Sequence, residues 1–359
     1  MKKNNQFVVL IPALDPPVSF VKYVEKLIQN GISDIIVVDD GSRDKDIFEK
    51  IDRHPQVVVL THEVNFGKGR GLRTGIRYYL EHFSQEEYAG IVTADSDGQH
   101  LCEDVKKLGA CLGSGEGKMV LGVRDFNQAN VPPKSRFGNK LTSRLFKVLL
   151  GYGVTDTQTG LRAIPNSMMQ MCLEIPGDRF EYETAVLIRA CKEKRVEERT
   201  IHTVYLDENR GTHFHPVRDS LRIYRLLLGT FVKYLFVSLS SFLLDYLLFL
   251  LGTKLLFRGM EWRIVEATVC ARILSSIYNY FMNKKVVFEN DGSYVRTGLG
   301  YFLLCVVQCA VSAVSVELFT KALLADEAFV KPIVDIILFF VNYFVQKKII
   351  FGEHRKSEG

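Results

Sequence analysis

The sequence predicts a mostly parallel α/β domain followed by an all-α membrane domain with four transmembrane helices. Three observations predict this division: short β-branched runs alternate with helical patterns in the first part, polar residues follow those runs, and the last part is far more apolar. Single hydrophobic cores rarely grow beyond about 250 residues, so a chain of 359 residues is expected to form two domains. We place them at residues 1–210 and 231–352, with a juxtamembrane linker at 211–230.

Charge and composition exclude some classes of protein. The chain is 24% charged and 47% hydrophobic with a net charge of +5, and its basic residues form no long run, so nucleic-acid binding is not expected. The seven cysteines include no C-x-x-C pair, which favours reduced thiols over a disulfide framework. Only five apolar residues precede Pro12, too few for the core of a signal peptide, so we expect the first domain in the cytoplasm.

Five apolar runs in the first part predict the strands of one sheet. Because helical patterns separate the runs, the strands are expected to lie mostly parallel between two layers of helices, in a Rossmann-like arrangement. Ligands of such sheets bind beyond the carboxyl ends of the strands, which is where this sequence places polar residues. The predicted strands are Phe7 to Ile11, Asp34 to Asp40, Val57 to Leu60, Gly90 to Asp95 and Lys118 to Val123.

Four apolar stretches in the last part are long enough to cross a hydrocarbon core of about 30 Å at a rise of ~1.5 Å per residue. With both termini in the cytoplasm, most flanking lysines and arginines lie on the cytoplasmic side, as the positive-inside rule requires. Lys254, Arg258 and Arg263 are the exceptions. We therefore expect a multi-pass protein of the cell membrane, with spans at approximately residues 231–257, 264–287, 298–323 and 329–350.

The linker has an amphipathic pattern. Residues 218–228, with the sequence RDSLRIYRLLL, combine three arginines with leucines and an isoleucine and can form an amphipathic helix. Such a pattern predicts a helix that lies at the membrane surface. A plain linker helix is the alternative.

The membrane part contains an internal repeat. The segment NYFMNKKVVF, which starts at Asn279, is echoed 63 residues later by NYFVQKKIIF, which starts at Asn342. A general preference of span ends for aromatic residues followed by lysines is the alternative to a duplication. The same offset aligns Arg272 with Asp335, and we expect these two to pair inside the bundle. With Asp245 they are ionisable groups at membrane depth, either functional or structural.

Asp95, Asp97 and Gln99 follow the fourth predicted strand in the segment ADSDGQ. Side chains two residues apart in an extended segment project to one side, so these three can converge as oxygen ligands. Mg²⁺ or Mn²⁺ held in this way can neutralise a diphosphate leaving group. Two acidic residues after a strand are also common in solvated loops, so the other strand ends must support this interpretation.

The ends of the first two strands give that support. Asp39, Asp40 and Gly41 follow the second strand, where carboxylates can accept hydrogen bonds from ribose hydroxyls and a base edge, and Pro12 ends the first strand. The segment NFGKGRG at residues 65–71 combines glycines for close backbone approach with two cations for phosphate, one of them Lys68. Together these residues predict a nucleotide site.

The series IPALD, VVDDGS, NFGKGRG, ADSDGQH, GVRD and DTQTGLRAI resembles family 2 glycosyltransferases with a GT-A fold, of the dolichyl-phosphate mannose synthase type. The resemblance spans nearly the whole first domain. It implies that Asp95, Asp97 and Gln99 bind the metal and the diphosphate. We assign the nucleotide-sugar pocket to Pro12, Leu14, Asp39, Asp40, Gly41, Lys68, Asp95 and Asp97.

A lipid phosphate is anionic at neutral pH, so as an acceptor it needs cations and placement rather than a strong base. The resemblance implies inverting transfer in a single displacement, and Asp97, Arg124 and Asp156 are the candidates for catalytic residues. It also assigns the basic stretch after the metal motif to the acceptor phosphate, with Arg124, Lys134, Ser135, Arg136 and Lys140.

These observations predict a membrane enzyme that transfers a hexose from a nucleotide sugar to a polyprenyl phosphate such as undecaprenyl phosphate. UDP-glucose and UDP-N-acetylglucosamine are favoured as donors, while GDP-mannose, the lipid length and self-association are left open. The membrane part resembles GtrA-like proteins, which implies that it helps the lipid-linked sugar to cross the bilayer. A processive polysaccharide synthase and a lipid-linked sugar transporter with a nucleotide-binding domain are the alternative functions.

Overall fold

The computed structural model describes residues 6–113, 116–126, 133–202, 216–324 and 326–352. The chain divides into two compact units, Met1–Leu227 and Leu228–Gly359. The first unit contains a sheet with helices, and the described part of the second unit is helical.

The sheet of the first unit has seven strands, which are Gln6–Ala13 (β1), Ile35–Asp39 (β2), Val57–Thr61 (β3), Tyr88–Thr93 (β4), Met119–Arg124 (β5), Arg162–Pro165 (β6) and Val196–Ile201 (β7). Their order across the sheet is β3-β2-β1-β4-β6-β5-β7. Strands β1 to β4 run parallel, β5 pairs with β7 in parallel, and β6 is antiparallel to both of its neighbours. The carboxyl ends of β1, β2, β4 and β5 therefore share one edge with the amino end of β6. The predicted mostly parallel α/β domain is confirmed.

The helices of the first unit are Ser19–Gln29 (α1), Asp46–Ile51 (α2), Lys68–His82 (α3), Cys102–Leu112 (α4), Pro133–Leu145 (α5), Asn166–Glu174 (α6) and Glu181–Lys192 (α7). Strands covered on both faces need continuous apolar sequence, and the valines and isoleucines of β1 and β2 supply it. Val9, Ile11 and Val37 are fully buried in the main core, together with Phe20 and Leu27 of α1.

Strands β6 and β7 lie outside the five predicted runs. β6 has four residues and begins with the buried Arg162. β7 has the sequence VEERTI, is largely exposed or half-buried, and lies at the edge of the sheet. The search for apolar runs misses β6 because that buried strand is only four residues long and begins with a charged residue, and it misses β7 because that strand is mostly polar.

The second unit contains four long helices, the first of which starts in the first unit: Pro216–Leu251 (α8), Arg263–Met282 (α9), Tyr294–Leu323 (α10) and Glu327–Val345 (α11). Helices α8, α9 and α11 continue into wider π-helical turns. Helix α8 joins the predicted linker helix and the first predicted span into one continuous helix. The predicted all-α second domain is thereby confirmed.

Three helical stretches in the described part of the chain are long and apolar enough to cross a membrane: Leu221–Leu256, Tyr294–Ala322 and Phe329–Ile350. Helix α9, which was expected to be the second of four spans, is not among them. It carries Arg263, Glu266 and Arg272, and charged groups are costly in hydrocarbon. By length and composition three described helices therefore qualify as spans, and the expected count of four stays a prediction.

The two copies of the internal repeat meet in the second unit. Both end in a π-helical turn, which begins at Asn283 in one copy and at Gln346 in the other. These two residues are buried, and Asn283 Nδ2 donates a hydrogen bond to Gln346 Oε1 at 3.0 Å. Positions 63 residues apart therefore lie in direct contact.

The ionisable groups of the second unit have other partners than the repeat suggests. Arg272 Nη2 lies 3.5 Å from Asp245 Oδ2, and Lys331 Nζ lies 2.6 Å from Asp335 Oδ2, one helical turn away. The predicted pair of Arg272 with Asp335 is therefore wrong, because each residue has a nearer partner of opposite charge. A serine supports each carboxylate: Ser275 donates to Asp245 at 2.8 Å and Ser312 to Asp335 at 3.0 Å.

Candidate active site

The predicted pocket residues come together at one edge of the sheet. Pro12 is buried near the end of β1, Leu14 is half-buried just beyond it, and Asp39 ends β2. Strand β4 ends at Thr93, two residues before Asp95. Because β2, β1 and β4 are parallel neighbours, their carboxyl ends lie side by side and form the crevice in which such sheets bind ligands.

Asp39 is fully buried, and its carboxylate holds the turn that follows β2. Its Oδ1 accepts a hydrogen bond from the backbone N–H of Ser42 at 2.8 Å, and its Oδ2 pairs with Lys45. The Ser42 hydroxyl in turn accepts a hydrogen bond from the backbone N–H of Asp15 at 2.8 Å. The loops after β1 and β2 are thereby tied together.

Asp40 is also buried, and it anchors the loop that leads into α3. Its Oδ1 accepts a hydrogen bond from the backbone N–H of Phe66 at 3.0 Å, and its Oδ2 accepts one from that of Gly67 at 2.7 Å. His62 Nδ1 lies 2.7 Å from the same Oδ1. Both oxygens of Asp40 thus hold the loop before α3, and the predicted contact of Asp40 with ribose stays a prediction.

Replacing Gly41 with alanine is expected to lower the free energy of unfolding. Its φ of +78° costs an L-residue roughly 1–2 kcal/mol. An added Cβ would also lie 2.5 Å from the backbone carbonyl carbon of Val64, an overpacking of about 1–3 kcal/mol. Denaturant unfolding of the full chain in detergent measures the loss.

Gly31→Ala is the matched control for this prediction. Gly31 has a φ of +85°, but its added Cβ would meet nothing within 4 Å, so this variant isolates the conformational cost. Equal losses in the two variants would show that contact with Val64 contributes nothing.

The glycines at the start of α3 pack against protein. A Cβ at Gly69 would lie 2.5 Å from the Cβ of Tyr182, and one at Gly71 would lie 3.3 Å from the Cβ of Pro12. The glycines thus allow a close approach between parts of the chain, and their predicted contact with phosphate stays a prediction. Small residues here bring Lys68, the first residue of α3, close to the strand ends.

Lys68 bridges two carboxylates at this edge. Its Nζ lies 2.7 Å from Asp95 Oδ1 and 2.8 Å from Glu183 Oε2. His100 Nε2 lies 3.3 Å from the other oxygen of Asp95, so both oxygens of that carboxylate are engaged. Glu183 is in the first turn of α7, which places the ion pairs between three separate elements.

The charges in this cluster shift one another's pKa values. Burial alone would lower the pKa of Lys68, but the carboxylates of Asp95 and Glu183 outweigh it and raise that pKa above its ordinary value. Burial likewise acts to raise the pKa of Asp95, but Lys68 and His100 hold it well below its usual range. The ion pair is therefore charged at neutral pH.

Asp97 differs from Asp95 in its surroundings. Burial and then the negative charge of Asp95 raise the pKa of Asp97 above its ordinary value. Its Oδ1 accepts a hydrogen bond from the backbone N–H of Gln99 at 3.0 Å. The carboxylates of Asp95 and Asp97 are of the oxygen type that Mg²⁺ and Mn²⁺ prefer as ligands.

Among the described residues, no group of three or more histidine, cysteine or acidic side chains is arranged to hold a metal ion. The predicted set of Asp95, Asp97 and Gln99 has two carboxylates and one amide, so it differs from such a group in composition. The assignment of a metal to these three residues stays a prediction.

Gly160, to which the sequence analysis assigned no role, lies directly against the Asp95 carboxylate. A Cβ at position 160 would lie 2.3 Å from Asp95 Oδ2 and 2.6 Å from Oδ1. The carbonyl oxygen of Gly160 accepts a hydrogen bond from Thr93 Oγ1 at 2.7 Å, which fixes this backbone beside the end of β4. The absence of a side chain at Gly160 therefore makes room for Asp95.

Gly160→Ala is expected to lower catalytic activity at least about tenfold, because it displaces a carboxylate of the site by an ångström or more. Overpacking should cost about 1–3 kcal/mol of stability. Gly153→Ala is the control, since its Cβ would meet nothing within 4 Å. Initial rates at saturating substrates check the prediction, and an unchanged rate in a folded Gly160→Ala protein would contradict it.

Arg124 and Asp156 form a two-point ion pair next to this cluster of strand ends. Arg124 Nε donates to Asp156 Oδ2 at 2.7 Å and Nη2 donates to Oδ1 at 3.0 Å. Asp156 is fully buried, while the Arg124 side chain is 21% exposed. The ring of Phe126 lies 5.0 Å from the guanidinium carbon of Arg124. The pair fixes an arginine at the end of β5 with one face toward solvent.

The other predicted acceptor residues belong to α5. Arg136 is half-buried and Lys140 is exposed. The side chains of Lys134 and Ser135 lie outside the described residues. Asn139 of the same helix donates a hydrogen bond to the carbonyl oxygen of Thr155 at 2.7 Å. This bond joins α5 to the segment that carries Asp156.

Three further residues of the site were given no role by the sequence analysis. His100 ends the ADSDGQH segment and Gly160 lies in the DTQTGLRAI segment, whereas Glu183 lies outside the series and in the first turn of α7. His100 contacts Asp95 within the same loop, whereas Gly160 and Glu183 contact Asp95 and Lys68 from other elements of the fold. Only the folded chain brings them together.

Two family profiles match the chain. Residues 9–170 match glycosyl transferase family 2, and residues 233–351 match the GtrA/DPMS transmembrane domain. An uncharacterized protein of Methanocaldococcus jannaschii is 33% identical over 230 residues, which are 59% of this chain and 92% of that protein.

Two named relatives are also similar. The UDP-N-acetylglucosamine–dolichyl-phosphate N-acetylglucosaminyltransferase of Methanococcus voltae is 31% identical over 61% of this chain and 94% of its own length. A dolichyl-phosphate β-glucosyltransferase of Trichomonas vaginalis is 23% identical over 44% of this chain and 49% of its own length.

Among solved structures, glucosyl-3-phosphoglycerate synthase of Mycobacterium tuberculosis, solved with Mn²⁺ and UDP, superposes with a TM-score of 0.47. The two chains are 17% identical over 62% of this chain and 79% of the synthase.

The α/β sheet, the acidic and basic cluster at its strand ends and the apolar helices define a membrane-associated glycosyltransferase. The chain belongs to glycosyl transferase family 2 and carries a GtrA/DPMS transmembrane domain after its family 2 domain. The predicted fusion of these two domains is confirmed.

Proposed function

We propose that the protein transfers a hexose from a nucleotide sugar to a polyprenyl phosphate, with inversion at the anomeric carbon. The observation that carries the proposal is the cluster of Lys68, Asp95 and Glu183 beside Asp97 at the carboxyl ends of β1, β2 and β4. A diphosphate leaving group requires compensation of its negative charge. This edge of the sheet has a lysine and a set of oxygen ligands suited to a divalent cation.

In the proposed reaction, an anionic phosphate oxygen of the lipid attacks the anomeric carbon of the sugar. The bond from that carbon to the donor diphosphate breaks, and a nucleoside diphosphate leaves with the electron pair. Since the attacking oxygen is already ionised, no side chain has to remove a proton from it. Arg124, held by Asp156, is proposed to bind the acceptor phosphate together with Arg136 and Lys140.

Asp95, Asp97 and Gln99 are the residues proposed to hold Mg²⁺ or Mn²⁺, which would supply charge neutralisation at the diphosphate. Asp39 and Gly41 are proposed to shape the nucleotide pocket, with Pro12 and Leu14 on its β1 side. Asp40 supports it indirectly through the loop that precedes Lys68.

The names of the relatives support a particular donor and acceptor for the proposed reaction. Their names include an N-acetylglucosaminyltransferase and a glucosyltransferase, both with dolichyl phosphate as the acceptor. We therefore propose UDP-N-acetylglucosamine or UDP-glucose as the donor in preference to GDP-mannose. The acceptor is proposed to be a polyprenyl phosphate, either undecaprenyl or dolichyl phosphate.

A donor and acceptor screen tests this proposal. Purified full-length protein in detergent is incubated with Mg²⁺ or Mn²⁺, each radiolabelled nucleotide sugar and either undecaprenyl or dolichyl phosphate, and the label that enters the organic phase is counted. Lipid-soluble product with one UDP-sugar is the expected result. Absence of lipid-linked product from every combination would refute it, and a water-soluble polymer would favour a processive synthase.

We also propose that the family 2 domain and both termini face the cytoplasm and that the helices of the second unit anchor the protein in the cell membrane. The distribution of lysines and arginines supports this orientation. Single cysteines introduced at an exposed position of the first unit and tested with a membrane-impermeant thiol reagent would check it in intact cells. Labelling of the first unit from outside the cell would overturn it.

A further inference from the structure

The Asp95 carboxylate, one of the proposed metal ligands, has a protein group beside each oxygen, and its side chain is 30% exposed. Lys68 Nζ lies 2.7 Å from its Oδ1 and His100 Nε2 lies 3.3 Å from its Oδ2. The backbone of Gly160 closes another side, since even a Cβ there would lie within 2.6 Å of both oxygens. The position beside Oδ1 that a divalent cation would take is therefore held by the ammonium group of Lys68.

Lys68 is the neighbour that can move most readily. His100 is 6% exposed and Gly160 is backbone held by Thr93, whereas Lys68 ends in a flexible chain of methylene groups. Lys68 also has a second partner, Glu183, at 2.8 Å. Because Glu183 can keep the ammonium group when Asp95 is taken, leaving Asp95 does not strand a buried charge.

We propose that Lys68 occupies the cation position at Asp95 in the resting enzyme, and that the divalent cation displaces it onto Glu183. This inference rests on the proposed function only in that Asp95 is taken as a metal ligand. Lys68 and the metal ion then compete for one carboxylate, and Glu183 determines how readily Lys68 yields. Glu183 is thus a positioning residue that acts on metal binding through Lys68.

Binding of Mn²⁺ alone tests the proposal without any sugar donor or lipid. Free Mn²⁺ is measured by electron paramagnetic resonance during titration of the full-length protein in detergent. Lys68→Met should tighten Mn²⁺ binding at least about fivefold, because it removes the competitor, and Glu183→Gln should weaken it by a similar factor. Arg77→Met, which removes an exposed cation from the same helix, should leave the dissociation constant unchanged.

A double-mutant cycle separates this mechanism from a simple effect of charge at a distance. If Glu183 acts through Lys68, then Glu183→Gln in a Lys68→Met background should change the dissociation constant for Mn²⁺ by less than about twofold. A long-range electrostatic effect would persist in that background at its full size. That persistence would overturn the proposal, as would unchanged or weaker binding by Lys68→Met.

Thermal unfolding of each variant verifies that it is folded, and Lys68→Gln replaces Lys68→Met if the latter is not. Failure of the parent and all variants to bind Mn²⁺ would also overturn the inference. In that case lipid-linked product from the same preparation would leave the proposed function standing. The two hypotheses therefore fail separately.

Discussion

Asp97→Ala is expected to abolish sugar transfer, with a rate at least about a thousandfold below that of the parent, which corresponds to about 4 kcal/mol of lost transition-state stabilisation. The variant removes a proposed metal ligand that follows β4. We expect the fold to persist, because the carboxylate holds its own loop through a hydrogen bond from the backbone N–H of Gln99. Such a bond is worth about 1 kcal/mol.

The measurement is the initial rate of lipid-linked product formation, together with thermal unfolding to verify the fold. Asp52→Ala is the matched control, because it removes an exposed carboxylate of the same unit at the end of α2. It should have the parent's rate. A folded Asp97→Ala protein with activity near the parent's level would refute the metal assignment.

Arg124→Ala is expected to lose both activity and stability. Asp156 is fully buried and is held by two hydrogen bonds from the guanidinium group, so removal of Arg124 leaves an uncompensated buried charge. The free energy of unfolding should fall by about 3–5 kcal/mol. The rate should fall by about a hundredfold or more, because a cation proposed to hold the acceptor phosphate is gone.

A double variant separates the two effects. Asp156→Asn in the Arg124→Ala background removes the stranded charge, so it should recover much of the lost stability while the rate stays low. The substituted amide keeps an oxygen for the backbone N–H of Gln158, which in the parent donates to Asp156 Oδ1 at 3.1 Å. Recovery of the parent's rate by the double variant would show that the Arg124–Asp156 pair has a structural role alone.

Much of the candidate site was predictable because strand ends and polar residues coincide in the sequence. Asp39, Asp95 and Arg124 end or closely follow strands that apolar periodicity identifies. In a parallel sheet the strand ends must share an edge, so their proximity follows from the pattern. The partners of these residues were harder to predict, since Asp156 and Glu183 come from segments far along the chain.

Asp40 shows that residue type alone does not reveal a side chain's partners within the protein. An acidic residue beside Asp39 at a strand end suggests a contact to ribose, yet both of its oxygens accept hydrogen bonds from the loop before α3. The same holds for the glycines of residues 67–71, since Gly69 packs on Tyr182. Whether a polar or small residue serves a ligand or the fold depends on which segment lies opposite.

In the membrane part, composition predicted the helices, but the sequence did not predict which charged side chains form ion pairs. Apolar length predicts α8 to α11 well, because burying backbone groups in hydrocarbon requires helices. The repeat aligned Arg272 with Asp335, but an ion pair forms between groups that are adjacent in space. Lys331, one helical turn from Asp335, and Asp245, across from Arg272, are nearer.

The sequence by itself determined the two-domain organisation, the mostly parallel sheet, the family and the edge at which the site lies. These follow from local periodicity and from residues that are close along the chain. Tertiary structure alone decided that Lys68 lies between Asp95 and Glu183, that Gly160 makes room for Asp95, and that Arg124 is held by Asp156. Such contacts join distant segments, and their distances depend on how helices and strands pack.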